Sequence, residues 1–379
     1  MGEAVCAQAF MKVEESGPSY DDGCMRPYPQ IITALEEARH DRRCAIANSA
    51  KLQSAVHRRE QTGELVCPLP HLFCETQSWA RLTPSQQVQY MAKALCILDA
   101  DLIFAGPTAA QLYGWEVPFS AHRRGLFTVC SSAHPASRAS IVQLNKGAWR
   151  VIPIASDGEH IDERNGCHVT QAARTLVDCA LLLPFVLALV VWDSAFRLTQ
   201  VSATDVLRAG QRLRGARERI DRLLEYTDPR SDNGGESFTR AVMIEQGFQI
   251  PELQVWYPEN GNSGAHRRIR VDFRWKIVGR DGSQRVVVGE LDGREKYENP
   301  EMTHGRSAIH VAHDESQRER ELYDCHVDTI VRFDFSEVKA RQPFITKLMK
   351  AGIPRFYRGE RNKRCAETVV FPHIDKVNE

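Results

Sequence analysis

Residues 268–297 read RIRVDFRWKIVGRDGSQRVVVGELDGREKY, and their pattern sets the expectation for the C-terminal half of the chain. Ile269, Val271, Phe273 and Trp275 alternate with Arg270, Asp272 and Arg274, the period of two that marks a strand with one buried face. Asp272 is then expected on the charged face. In the next run Val286, Val288, Glu290 and Asp292 share one parity, Val287, Gly289 and Leu291 share the other, and Gly-Arg-Asp-Gly-Ser between the runs suits a hairpin loop. Two carboxylates therefore close an apolar strand.

Unpaired acids at the end of a valine run are costly to bury, so they need a cation, a basic partner or water. With an odd number of loop residues, Asp272 lies opposite Glu290 or Asp292, and oxygens from both strands can share a hard ion such as Mg²⁺. Lys296, past the Asp-Gly bend, reaches toward the same place. Pattern alone leaves a second arrangement open, in which Asp272 pairs with Arg270, Arg274 or Arg294 as ordinary surface charge.

A wider order of residues bears on that choice: Gly-Gly-Glu236-Ser, Val-Asp272-Phe, Gly-Glu290-Leu-Asp292-Gly-Arg-Glu-Lys296-Tyr, Glu315-Ser-Gln-Arg318-Glu319-Arg-Glu-Leu322, and a final Val-Arg-Phe. In this order the stretch from about 229 to 340 resembles the very-short-patch-repair-like branch of the PD-(D/E)XK nuclease superfamily. The resemblance implies a metal site from Glu236, Asp272 and Glu290 holding Mg²⁺, with Mn²⁺ as the substitute, and Asp292 and Lys296 near the scissile phosphate. Two positions depart from the pattern. Asp292 stands where an E-x-K motif has its lysine, and Ser316 stands where a lysine is expected before the Arg-Glu pair.

The chain has 379 residues, 42% hydrophobic and 26% charged, enough for two or three domains with proper cores. Its 49 basic and 49 acidic residues cancel, so nucleic-acid binding must rest on local patches and not on a bulk field. Eleven cysteines occur without a C-x-x-C pair or a secretory leader, and a reduced cytoplasm is expected. The one long apolar run, Cys179 to Trp192, is broken by Pro184 and reads as a buried helix pair, so no membrane partner is expected.

In order, residues 1–27 are expected to be a tail and 28–80 a winged-helix-like module. Its three helices are placed at Ile31 to Ala38, Cys44 to Ala47 and Lys51 to Glu60, and a β wing follows Gly63. On the third helix Lys51, His57, Arg58 and Arg59 are the candidate DNA contacts. Residues 81–200 read as an α/β scaffold, with a helix capped by Thr170 and strands at Gly125 to Cys130, Ile141 to Leu144 and Trp149 to Ile154. The overall class is mixed α/β, α+β in arrangement.

Gly106-Pro-Thr-Ala-Ala-Gln-Leu-Tyr-Gly114, Thr170-Gln-Ala-Ala-Arg174-Thr-Leu-Val-Asp178 and Val191-Trp-Asp193-Ser-Ala together resemble the AbiEi-type antitoxins of abortive-infection systems. That resemblance implies a DNA-binding winged helix, a scaffold, and a toxin or other defence-system protein as partner. Arg174, Asp178 and Asp193 are expected to be structural ion pairs, given their helical spacing.

Ser202 is expected to cap a linker helix across 201–228, with six arginines between Arg208 and Arg222. Residues 229–353 are the nuclease-like domain, and 354–379 a basic tail. Within it, Met302 to Ala312 reads as a surface loop. Nine Lys or Arg against one acid between Lys339 and Arg364 mark a phosphate-tracking stretch. The expected function is DNA binding coupled to metal-dependent phosphodiester hydrolysis, in phage defence or DNA repair. The alternatives are a non-catalytic DNA-binding regulator with a relic nuclease fold, and a protein-interaction module without nucleic acid.

Overall fold

The computed structural model describes residues 28–123, 125–130, 149–155, 161–258, 268–279, 281–292 and 308–356. It is a mixed α/β protein with three sheets among those residues. Lys296, Arg294, the strand expected at 141–144, the N-terminal tail and most of the basic C-terminal tail fall outside them.

The first unit holds α1 (Pro29–Asp41), β1 (Ala45–Ile46), α2 (Ala50–Gln61), β2 (Leu65–Val66) and β3 (Leu72–Glu75), with sheet order β1-β3-β2. The segment expected as a second helix is strand β1, because Ala45 and Ile46 pair with Phe73 and Leu72. Tertiary pairing overrides the local helical reading there. Helix α2 begins where Ser49 Oγ accepts the Leu52 N–H at 3.3 Å. Ala55, Val56 and Leu52 bury its inner face with Ile31 and Phe73.

Helices α3 (Thr76–Arg81) and α4 (Pro84–Leu98) lead into a five-stranded sheet of order β6-β5-β4-β8-β7. Its strands are β4 (Ile103–Phe104), β5 (Leu126–Cys130), β6 (Val151–Ala155), β7 (Ile161–Arg164) and β8 (Cys167–Thr170). A Thr83/Gln86 capping box starts α4, with bonds of 2.8 and 3.3 Å. Helix α5 (Gly106–Leu112) follows β4, and α6 (Ala172–Leu182) and α7 (Phe185–Leu198) follow β8. Pro184 separates the last two, as the sequence indicated. Thr170 is the last residue of β8 and not the cap of α6, which starts after Gln171 without a side-chain cap.

The expected single linker helix is two helices, α8 (Ala203–Gly210) and α9 (Ala216–Tyr226), broken at Gly215, whose φ is +74°. That angle is open to glycine and strained for other residues. Helix α10 (Gly234–Gln246) then starts the last layer, capped by Asn233 Oδ1 on the Glu236 N–H at 3.0 Å and ended by Gly247.

Strands β9 (Glu252–Pro258), β10 (Arg268–Val278) and β11 (Gln284–Asp292) form an antiparallel meander. Helix α11 (Ala308–Asp324) crosses over to β12 (Thr329–Asp334), which runs parallel to β11. Helix α11 thus begins before the end of the expected surface loop. Two short helices follow, α12 (Phe335–Ala340) and α13 (Gln342–Lys350), and Arg341 between them has a φ of +67°.

One apolar core runs from Ala110 through Trp192, Ile220 and Val242 to Phe333 and Ile353. It crosses the expected boundaries at 200 and 228, so the scaffold helices and the β9–β12 layer share buried surface. Among the described residues, no helix is long and apolar enough to cross a membrane.

Candidate functional site: a carboxylate cluster at the β10–β11 pair

The hairpin register places Phe273 opposite Gly289 and Val278 opposite Gln284, which leaves an odd loop; extended one step past Phe273, the same register brings Asp272 level with Glu290. Gly289 is required here: a Cβ on it would lie 2.9 Å from the Trp275 ring. The ladder stops at Phe273 and Gly289, and Asp272 Oδ2 accepts the Leu291 N–H at 2.9 Å.

Burial alternates along β10 as expected, but the buried side chains do not share a single face. Phe273, Trp275 and Ile277 pack with Leu253 in the large core, whereas Ile269 and Val271 pack with Val255, Tyr257 and Leu322 of α11. The β9–β10 pair therefore moves its apolar side from the α10 layer to the α11 layer at Gln254 and Asp272. Gln254 has a φ of +54°, and the ladder skips it between Leu253–Phe273 and Val255–Val271.

Glu236 approaches from the first turn of α10. Only 4% exposed, it accepts from the Asp232 N–H at 2.9 Å, Asn233 Nδ2 at 2.7 Å and Gln254 Nε2 at 2.7 Å. Burial lifts its carboxyl to about 7, with the negative charges of Asp272 and Asp232 adding to the rise and the Asp232 N–H and Gln254 opposing it. Glu290 is also buried, and burial raises its carboxyl, opposed by Arg318 and Arg332 and reinforced by Asp272 and Asp292. The charge on Asp272 thus acts on both Glu236 and Glu290.

Two arginines complete the cluster. Arg318 on α11 lies 2.7 Å from Glu290 Oε1 and donates to the Arg270 carbonyl at 2.7 Å. Arg332, beside Glu290 in the β11–β12 register, is shared among Glu290 at 3.6 Å, Asp292 at 3.9 Å, Glu315 at 3.4 Å and Glu319 at 3.3 Å. Among the described residues, no three Asp, Glu, His or Cys side chains are grouped to hold one ion as they stand. The oxygen donors suit a hard divalent cation by chemistry. Ligation through Glu290 requires the partly exposed Arg318 to give way.

The loop that presents Glu236 is tied to the scaffold. Glu116 accepts from the Gly234 N–H and pairs with Arg197, which in turn donates to the Ser231 carbonyl. Asp193 accepts from the Asp228 N–H at 2.9 Å and from Arg240 Nη2 at 2.9 and 2.8 Å. Asp193 is thus a structural ion-pair member, with a partner on α10 that helical spacing could not indicate. Arg174 and Asp178 pair with each other at 2.9 Å, as their spacing suggested.

On α2, Lys51, His57 and Arg58 are exposed, but Arg59 is not. It is 5% exposed, lies 3.5 Å from Glu64 and faces the Tyr28 ring, so its guanidinium belongs to the module's interior. This corrects its reading as a DNA contact. In the basic C-terminal stretch, Arg341 pairs with Glu245 at 3.3 Å, Lys347 pairs with Glu337 at 2.7 Å, and Arg355 donates to the Gln246 carbonyl.

Sequence reasoning missed Gln254 and the roles of Arg318, Arg332, Glu116 and Arg197. Arg332 carried a signal, a charge inside the apolar run Ile330 to Phe333; Gln254 carried none.

No family model matches this chain, and no solved structure does. Two uncharacterized proteins from two strains of Mycobacterium tuberculosis are each 34% identical over 120 residues, covering 31% of this chain and 43% of theirs. The chain thus spans under half the length of the curated relatives it matches.

Proposed function

We propose that the protein binds DNA and hydrolyses phosphodiester bonds with a divalent cation held by Glu236, Asp272 and Glu290. What carries the reading is the electrostatic position of Asp272, between a buried glutamate from a helix and a buried glutamate from the neighbouring strand. Crowded acids raise one another's pKa at a cost to stability, and a hard cation relieves that cost. The order helix, three-strand meander, crossover helix and parallel fourth strand agrees with the nuclease resemblance of residues 229–340.

A bound Mg²⁺ or Mn²⁺ supplies a water of lowered pKa and neutralises charge developing on the phosphate. This chain's own residues do the rest. Glu236 is fixed by three donors, Asp272 by the Leu291 N–H, and Arg318 and Arg332 bring positive charge to the side of the cluster formed by α11 and β12. Lys51, His57 and Arg58 on the outer face of α2 supply backbone contacts to duplex DNA.

A non-catalytic DNA-binding regulator is the second reading. Arg318 and Arg332 already neutralise Glu290 and Asp292, an arrangement that stands without a metal. Nicking assays on wild type, Asp272→Asn and Glu290→Gln separate the two: loss of metal-dependent cleavage in both variants supports the enzyme, and an inert wild type supports the regulator.

A further inference from the structure

Gln254 sits in the interior of strand β9 with a φ of +54°, a conformation that a non-glycine residue adopts only at a cost. Its neighbours pair normally, Leu253 with Phe273 and Val255 with Val271, so the distortion is confined to the residue facing Asp272. The side chain has a defined role on one side: Nε2 donates to Glu236 Oε2 at 2.7 Å. That bond fixes which end of the amide faces Glu236 and turns Oε1 the other way. Oε1 is buried and has no hydrogen-bond partner. A buried acceptor without a donor is a rare and costly feature, and a cation is one group that satisfies it.

We propose that Gln254 is part of the cation site, its Nε2 holding Glu236 and its Oε1 serving as a neutral oxygen ligand beside Asp272. The proposal rests on the cation reading above. Hard divalent ions accept amide oxygens together with carboxylates, and a neutral donor adds a ligand without further crowding the negative charge. The strained backbone is then the means by which an edge strand brings a long amide between a helix carboxylate and a strand carboxylate. Strain retained at a position where glycine would remove it is the mark of a residue kept for its side chain.

The test is Mn²⁺ binding to the full chain by titration calorimetry after chelation, alongside thermal melts of the metal-free protein. Gln254→Gly accepts the positive φ without strain, and Gln254→Asn tolerates it while drawing the amide back. Both are expected to bind Mn²⁺ roughly 10–100-fold more weakly than wild type, the range seen when a residue supporting a metal site is lost. The metal-free Gln254→Gly protein is expected to melt no lower than wild type. Mn²⁺ binding by both variants at wild-type affinity overturns the proposal. If Glu290→Gln abolishes binding while the Gln254 variants retain it, the inference alone falls; if wild type binds no Mn²⁺, the cation reading falls and takes the inference with it.

Discussion

Asp193 on α7 and Arg240 on α10 meet through two contacts of 2.9 and 2.8 Å, with 0% and 2% of the residues exposed. The pair joins the scaffold to the helix that presents Glu236. Arg240 also donates to the Tyr226 carbonyl at 2.7 Å, and Asp193 accepts from the Asp228 N–H, so the two partners together hold the start of the loop that leads into α10. Burial raises the Asp193 carboxyl, while Arg240 and the Asp228 N–H oppose the rise.

Removing one partner leaves the other charge buried and uncompensated. Asp193→Ala is expected to destabilise the protein by roughly 3–5 kcal/mol in urea unfolding, whereas Asp193→Leu combined with Arg240→Met is expected to recover most of that loss. A cost below about 1 kcal/mol for the single variant would mean that the pair does not join the two layers.

Glu236 gives the metal-free protein a pH dependence. Its folded carboxyl titrates at about 7 against an ordinary value of 4.5, so the unfolded chain gives up this proton first as pH rises. The sign follows: the stabilisation from keeping Glu236 protonated is complete below pH 4.5 and is lost as pH rises through about 7. The loss attributable to this group is on the order of 3 kcal/mol. Melting temperatures of wild type and Glu236→Gln measured from pH 5 to pH 8 check it. The gap should move in favour of the variant at high pH, and parallel curves would show that Glu236 does not titrate as its surroundings dictate.

Much of this site was legible in the sequence because its acids interrupt apolar runs. Asp272, Glu290 and Asp292 stand out against valine, and Glu236 stands at a helix start marked by Asn-Gly-Gly. The hairpin followed from Gly-Arg-Asp-Gly-Ser, while the odd length of its loop is fixed only by the pairing of Val278 with Gln284. The rest depends on tertiary contact. Period two cannot register a change of face, so the distortion at Gln254 had no trace, and β9 itself went unread. Strand β1 looked helical because only its pairing with Phe73 and Leu72 makes it a strand. Arg59 looked like its neighbours Arg58 and His57, yet one further helical step turns it toward Tyr28 and Glu64.

That step yields a contrast on α2. Arg58→Ala is expected to weaken duplex DNA binding with little change in stability, and the wild-type affinity should fall steeply with salt, by a slope of about 0.9 per phosphate neutralised. Arg59→Ala is expected to lower the melting temperature instead. Fluorescence anisotropy with labelled duplex, read beside thermal melts, compares them. Equal binding losses from the two variants would contradict the inward placement of Arg59, and salt-insensitive binding would remove α2 from the interface.

The central claim is that Glu236, Asp272 and Glu290 form one cation-dependent hydrolytic site. Its most direct test is nicking of supercoiled DNA by the full chain with Mg²⁺ or Mn²⁺, comparing wild type with Asp272→Asn and Glu290→Gln and extending to linear, mismatched and single-stranded substrates. The account predicts cleavage by wild type that chelation stops, and a fall of at least about 100-fold in both variants with the fold retained, as expected when a group stabilising the reacting centre is removed. Undiminished cleavage in both variants would contradict it, as would a wild type inert on every substrate.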